Sequence, residues 1–261
     1  MENIIEVKNL KKVFKNFIAV DDIGFTVAKG EIFAFLGPNG AGKTTTIKML
    51  TTLLRPTSGS IRINGFDTLN DQDGVRRSFG IVFQDQSVDE ELTAQENMLF
   101  HAGLYGLAKK ESREKIAQLL EFVGLADRKD ELVKRFSGGM KRRLEIARGL
   151  IHEPKILFLD EPTLGLDPQT RNRMWEHIMS LNKEKQMTVF LTTHYIEEAE
   201  KMASRVAIID RGKILVLDSV EKIRNTYDSQ SLEEAFLKIT GHDIRQESAD
   251  SLDRMRKFKK R

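Results

Sequence analysis

Residues 37–45 read GPNGAGKTT, and the run before them, residues 31–36 (EIFAFL), is short, apolar after its first residue and β-prone. Such a run suits a strand buried in a parallel sheet, whereas residues 43–54 carry helical periodicity. The order is therefore strand, glycine-rich loop, helix. Gly37, Gly40 and Gly42 let backbone N–H groups converge on an anion, and the helix N-terminus adds favourable partial charge. Pro38, Asn39, Ala41 and Thr45 complete the predicted nucleotide cradle. Lys43 is placed for the β- and γ-phosphates and Thr44 for Mg²⁺. The plain alternative, an ordinary glycine turn, is set aside because the required strand and helix flank the motif.

A second anion-type turn occurs at residues 136–140, FSGGM. Ser137 suits the N-cap of a helix over 140–151, whose apolar stripe is Met140, Leu144, Ala147 and Ile151. Gly138 and Gly139 expose N–H groups at its start. Alone, this is equally well a capped helix with a glycine turn. One triphosphate needs only one cradle, however, so the spare turn predicts a nucleotide held between two copies of the chain, one supplying Lys43 and the other Ser137.

Three further apolar runs end in polar residues. Residues 156–159 (ILFL) stop at Asp160 and Glu161, and carboxylates at the carboxyl end of a central strand lie where open α/β sheets bind ligands. Asp160 suits the Mg²⁺ shell, and Glu161, one residue further out, suits a general base for the attacking water. Residues 187–191 (MTVFL) lead through Thr192 and Thr193 to His194, expected to hydrogen-bond the γ-phosphate and orient Glu161 and water. Residues 79–83 (FGIVF) lead to Gln84, whose amide oxygen can reach Mg²⁺ or the water.

Taken together, these motifs resemble an ABC-transporter ATPase over residues 4–240. Residues 37–44 look like Walker A, 136–140 like the signature, 156–160 like Walker B with Glu161 as catalytic carboxylate, Gln84 like the Q-loop and His194 like the H-loop. Residues 164–167 (LGLD) resemble the D-loop, whose Asp167 is implied to cross a dimer. Phe14 falls where the family stacks an aromatic ring on adenine, with phenylalanine in place of the more usual tyrosine; core packing is the plain alternative for it and for Phe17. Met140 replaces the common signature glutamine and leaves the backbone donors in place. Residues 136–171, 83–97 and 231–245 further resemble the daunorubicin-resistance type of ATPase, which serves ABC-2 export permeases for drugs, lipids or polysaccharides.

The resemblance implies an α/β P-loop ABC ATPase fold: a parallel core sheet, an antiparallel β layer from residues 4–7, 18–27 and 60–63, and a helical subdomain about 85–152. The ATPase domain is then 1–240 and the charged tail 241–261. In the helical stretch, Leu99, Leu104, Leu107, Ile116, Leu119, Leu120 and Val123 are the expected packing residues. Implied ligands are ATP and Mg²⁺. Implied partners are a second copy or homologue of the ATPase and a polytopic membrane permease, docking in a groove formed by the helical lobe and the Gln84 loop. The expected location is cytoplasmic, peripheral on the inner face of the membrane.

Composition agrees with that expectation. The 261 residues are 40% hydrophobic, enough for one large core and a smaller lobe. No apolar stretch approaches the roughly 18 residues of a membrane span, no signal-peptide core opens the chain, and there is no cysteine. Of the net charge of +3, residues 252–261 hold +5, leaving residues 1–251 at −2. No nucleic acid partner is therefore expected; the tail reads as solvated or as a contact for anionic lipid, and Lys141, Arg142 and Arg143 as a local basic patch or, more plainly, a charged helix face. A ribosome- or DNA-associated ABC ATPase shares the motifs but usually carries tandem cassettes or a coiled-coil insertion. A GTPase is disfavoured because residues 182–185 read NKEK, not NKxD. A purely regulatory nucleotide-binding module is the non-enzyme alternative.

Overall fold

Strands that look uniformly apolar in the sequence are divided between two cores once they pair. The computed structural model describes residues 2–241. In chain order it contains β1 (Asn3–Phe14), β2 (Phe17–Ala28), β3 (Ile32–Leu36), α1 (Lys43–Leu50), β4 (Ser58–Ile63), β5 (Phe66–Asp67), α2 (Gln72–Ser78), β6 (Phe79–Val82), α3 (Ala94–Leu104), α4 (Lys109–Phe122), α5 (Gly138–Leu150) and β7 (Ile156–Asp160). It continues through α6 (Pro168–Lys185), β8 (Thr188–Thr193), α7 (Ile196–Met202), β9 (Arg205–Asp210), β10 (Lys213–Ser219), α8 (Val220–Thr226) and α9 (Leu232–Thr240). Six strands form one sheet in the order β10-β9-β3-β8-β7-β6, parallel except for β10 at its edge.

Because side chains alternate along a strand, Phe33 and Phe35 of β3 join one core while Ile32, Ala34 and Leu36 join the other. The first core is a phenylalanine cluster, Phe25, Phe33, Phe35, Phe158 and Phe190, closed by a second sheet of order β2-β1-β4-β5, antiparallel throughout. The second core lies under α6 to α9, where Leu232 and Phe236 are buried and Ile239 packs partly. That is the expected α/β arrangement with an antiparallel layer. β1 is longer than residues 4–7, running to Phe14, because its pairing with β2 resumes past a register shift next to Asn9, whose φ of 47° is left-handed. Lys8, Lys11 and Lys12 mask that extension in the sequence.

A third buried cluster gathers the helices between β6 and β7. It takes Ala94, Met98 and Ala102 from α3, Ile116 and Leu120 from α4, and Leu144 and Ala147 from α5, together with Val123, Phe136 and Ile151. Leu99, Leu107 and Leu119 pack partly against it. Leu104 does not: it is 68% exposed, because α3 buries the 94, 98, 102 stripe and residue 104 falls on the other side. The helix expected over residues 43–54 stops at Leu50, where the Thr51 hydroxyl donates back to the Ile47 carbonyl and Thr52 turns left-handed with φ 63°. Of the charged tail, residues 242–261 lie outside the described residues.

Candidate functional site

Three parallel strands deliver their ends to one edge of the sheet. Asp160 pairs opposite Thr192, and Leu36 opposite Thr193, so the loops after β3, β7 and β8 open side by side. The loop after β3 enters α1 through Gly42, the N-cap, whose φ of 109° and whose approach to the Ala19 carbonyl leave no room for a side chain; a Cβ there would lie 2.6 Å from that oxygen. Gly37 and Ala41 are buried, Pro38, Asn39 and Gly40 form the exposed rim, and Thr44 and Thr45 are half-buried. Lys43 is only 4% exposed. Its Nζ donates to the Gly37 carbonyl at 2.8 Å and the Pro38 carbonyl at 3.2 Å, and lies 3.1 Å from Glu161 Oε1.

Asp160 and Glu161 are adjacent in sequence but meet different environments. Asp160 Oδ1 accepts from the Thr192 hydroxyl at 2.6 Å and the Thr44 hydroxyl at 3.3 Å. Burial pushes its carboxyl above the usual range, and those two hydroxyls only partly offset the effect. Glu161 has left-handed backbone, φ 49°, a conformation that disfavours a side chain by about 1–2 kcal/mol. Its N–H is held by the carbonyl and hydroxyl of Thr192, both at 3.1 Å. The turn aims the carboxylate away from the strand, so that Oε2 meets His194 Nδ1 at 2.9 Å while Oε1 meets Lys43. Burial raises the Glu161 carboxyl, but the His194 hydrogen bond and the Lys43 charge outweigh it and hold the group below the usual range. At neutral pH Glu161 is therefore an anion, held between Lys43 and His194.

Two features of this cluster escape a sequence reading. Thr192 serves both carboxylate residues, and Glu198, buried, accepts from Thr163 at 2.6 Å and Thr193 at 3.1 Å, joining the turn after Glu161 to the one before His194. The available signal was two threonines ending an otherwise apolar strand, and buried hydroxyls require partners. Arg171 lies 4.7 Å over the Tyr195 ring, which itself packs 4.2 Å from the His194 ring.

The second turn lies at the head of α5. The Ser137 side chain accepts from the Met140 N–H at 3.2 Å as N-cap, and Ser137 and Gly138 are exposed. Gly139 is buried against α6: a Cβ there would come within 2.4 Å of Thr170 Cγ2. Met140 packs partly on the helical cluster. Among the described residues the hydrogen bond of the Ser137 side chain is this cap within its own helix. Asp167, exposed, caps α6 through the Thr170 N–H at 3.0 Å and hydroxyl at 2.6 Å, and those bonds hold its carboxyl below the usual range. Gln84 is exposed just past β6; its carbonyl accepts from Arg142 at 2.8 Å, and its side chain forms no hydrogen bond among the described residues. Phe14 and Phe17 pair across a two-residue turn with 44% and 62% exposure, so core packing fails for both; Lys12 Nζ sits 5.1 Å over the Phe14 ring. Lys141, Arg142 and Arg143 do not form a solvated face. Lys141 pairs with Glu90, Arg142 is buried against Glu145, and Arg143 donates to the Val123 carbonyl.

Between the helices and β6 runs a groove of about 400 Å³ lined by Phe83, Ser87, Phe100, Leu104, Tyr105 and His152, with Phe100 67% exposed. Tyr105 stacks on His152 at 3.7 Å, their planes 5° apart. Among the described residues no helix is long and apolar enough to cross a membrane.

A glycine loop between strand and helix, a buried lysine and a carboxylate pair at parallel strand ends define a P-loop nucleoside triphosphatase. The sequence profile described as ABC transporter matches residues 20–164. The daunorubicin/doxorubicin resistance ATP-binding protein DrrA of Streptomyces peucetius is 43% identical over 228 residues, 87% of this chain and 69% of that one. The Nod factor export ATP-binding protein I of Burkholderia thailandensis is 44% identical over 209 residues, 80% of this chain and 68% of that one. Among solved structures, an ATP-binding subunit of an ABC transporter superposes with a TM-score of 0.83 at 32% identity, covering 91% of this chain and 99% of that one. The dimeric cassette MJ0796, in a post-hydrolysis state bound to ADP and Pi, gives 0.75 at 28% identity, covering 82% and 98%. The chain belongs to the ABC transporter family, as an ATP-binding and ATP-hydrolysing subunit.

Proposed function

We propose that this subunit works as one of two cassettes that close on ATP and drive a separate membrane permease in export. The observation that carries the reading is the line of buried Lys43 and Glu161 and half-buried His194, with contacts of 3.1 Å and 2.9 Å at the sheet edge. In this reading residues 1–240 are the cassette and about 85–152 its helical lobe. Residues 37–45 hold the phosphates through their N–H groups and Lys43, and Phe14, already on the surface, stacks on the base. Ser137, Gly138, Gly139, Met140 and Asp167 of the opposite copy complete the pocket.

Thr44, Asp160 and Gln84 are an all-oxygen, hard donor set, and Thr44 already reaches Asp160, so these residues fit Mg²⁺. The ion supplies neutralisation of charge on the phosphate oxygens. Glu161, kept ionised, orients the attacking water and receives its proton at a carboxylate oxygen. His194 fixes Glu161 by donating from Nδ1. The apolar groove beside the Gln84 loop is the docking site for the permease, which places the subunit on the inner face of the membrane. Export follows the relatives, one of which is named for Nod factor export, and they do not favour ribosomal or DNA work.

Glu161→Gln is the direct test. It should retain ATP binding, lose roughly 10²–10⁴-fold in turnover, and accumulate an ATP-bound dimer detectable by sedimentation. Steady-state hydrolysis at the parent rate by this variant removes Glu161 from its role.

A further inference from the structure

We propose that the buried Arg142–Glu145 pair on α5 positions the Gln84 loop for the ATPase reaction by holding its main chain at both ends. This rests on the function proposed above and adds two positioning residues to it.

Arg142 is 4% exposed and Glu145 is fully buried. The Arg142 guanidinium donates to Glu145 Oε2 at 2.9 Å, to the Gln84 carbonyl at 2.8 Å and to the Phe83 carbonyl. Glu145 Oε1 accepts from the Ser87 N–H at 2.6 Å and the Ser87 hydroxyl at 3.0 Å. One turn of α5 therefore grips both ends of the loop 83–87, entry through two carbonyls and exit through an amide. The grip is on the main chain, which is what sets where the Gln84 side chain starts, since that side chain is exposed and otherwise unbonded. A buried ion pair adds little stability over an apolar pair of similar volume, whereas a planar guanidinium holding two carbonyls imposes direction.

The same helix reaches the groove. Arg148, three residues beyond Glu145, donates to the Ser87 carbonyl at 2.6 Å and lines the groove with Phe83, Ser87 and Phe100. At its other end α5 begins on Ser137. An occupant that displaces Ser87 or Arg148 therefore pulls on Glu145, Arg142 and the Gln84 carbonyl in turn.

The experiment is a coupling cycle on the full-length chain. Arg142→Met combined with Glu145→Leu replaces the pair by apolar groups and leaves no buried charge unpaired. Turnover should fall about 10-fold, with ATP affinity measured in the Glu161→Gln background changing less than about threefold. In the Gln84→Ala background the same pair of substitutions should lower turnover by less than about twofold, because the loop residue through which the pair acts is already gone. Equal losses in both backgrounds, or parent turnover in the folded variant, overturn the proposal. Arg142→Lys keeps the buried charge but cannot span two carbonyls; it serves as the second variant if the first fails to fold, with the same expectations. Hydrogen exchange at the Ser87 amide is read alongside and does not depend on hydrolysis: it should quicken at least about 10-fold in the double variant, and unchanged exchange overturns the clamp. A parent chain without ATPase activity removes the functional reading, and with it the positioning role, even where Ser87 responds as expected.

Discussion

At the scale of single residues, Thr192 does the most with the least chemistry. Its hydroxyl donates to Asp160 and receives the Glu161 N–H, so one side chain orients a metal-type carboxylate and the backbone of the proposed base. Thr192→Val keeps the shape and the β-propensity and removes the hydroxyl. A hydrogen bond to a charged group is worth about 1.5–3 kcal/mol, so turnover should fall roughly 10-fold or more, with a steeper Mg²⁺ requirement. Mg²⁺ titration of the steady-state rate checks this, and an unchanged Mg²⁺ dependence would count against Thr192. Lys43, Glu161 and His194 were legible because each is a polar residue at a fixed offset from an apolar strand. Thr192 was not, since threonine is an ordinary strand residue and only its neighbour across the sheet makes it a partner of Asp160.

At the scale of elements, α5 against α6 and α3 against its groove invite separate tests. Gly139 faces Thr170 so closely that Gly139→Ala must push α5 away from α6, destabilising the chain by about 1–3 kcal/mol and lowering turnover. Thr170→Ser removes the obstructing methyl and retains the hydroxyl that Asp167 accepts, so the double variant should recover most of the stability and rate. Equilibrium unfolding of the single and double variants reads this out; no rescue refutes the steric cause.

His101, on α3, is pushed down to about 4 by burial, with the Arg148 charge and His152 adding to it. Its folded value lies below the unfolded 6.5, so the unfolded chain takes up the proton first. Stability is complete above pH 6.5 and lost as pH falls towards 4, by roughly 3 kcal/mol. Urea unfolding between pH 7 and 4.5 should show that loss, and His101→Gln should flatten the curve over the same range. Helix periodicity located α3, but it could not say that Leu104 would face out while Ala94, Met98 and Ala102 faced in. All four are apolar, and packing partners choose among them.

At the scale of the whole molecule, the two anion turns stand on separate bodies of the fold, the first on the sheet edge and the second at the head of a helix in the third core. If each turn completes the pocket of another copy, hydrolysis per chain must rise with protein concentration and saturate as dimers form. A specific activity independent of concentration across the range where sedimentation shows only monomers would sink the shared pocket. The sequence alone determined the order of the motifs along the chain, the phosphate loop, the acid pair and the helix after Ser137, because these depend on local pattern: apolar runs, glycine positions and residue spacing. Only the tertiary structure decided that Glu161 stands between Lys43 and His194, that Thr192 and Glu198 fasten the loops, and that the three basic residues after Met140 are drawn inward. Those outcomes depend on which strand ends become neighbours and which charges find buried partners, and pairs far apart in the chain, such as Lys43 with Glu161, Asp160 with Thr192 and Arg142 with the Gln84 carbonyl, leave no periodic trace along it.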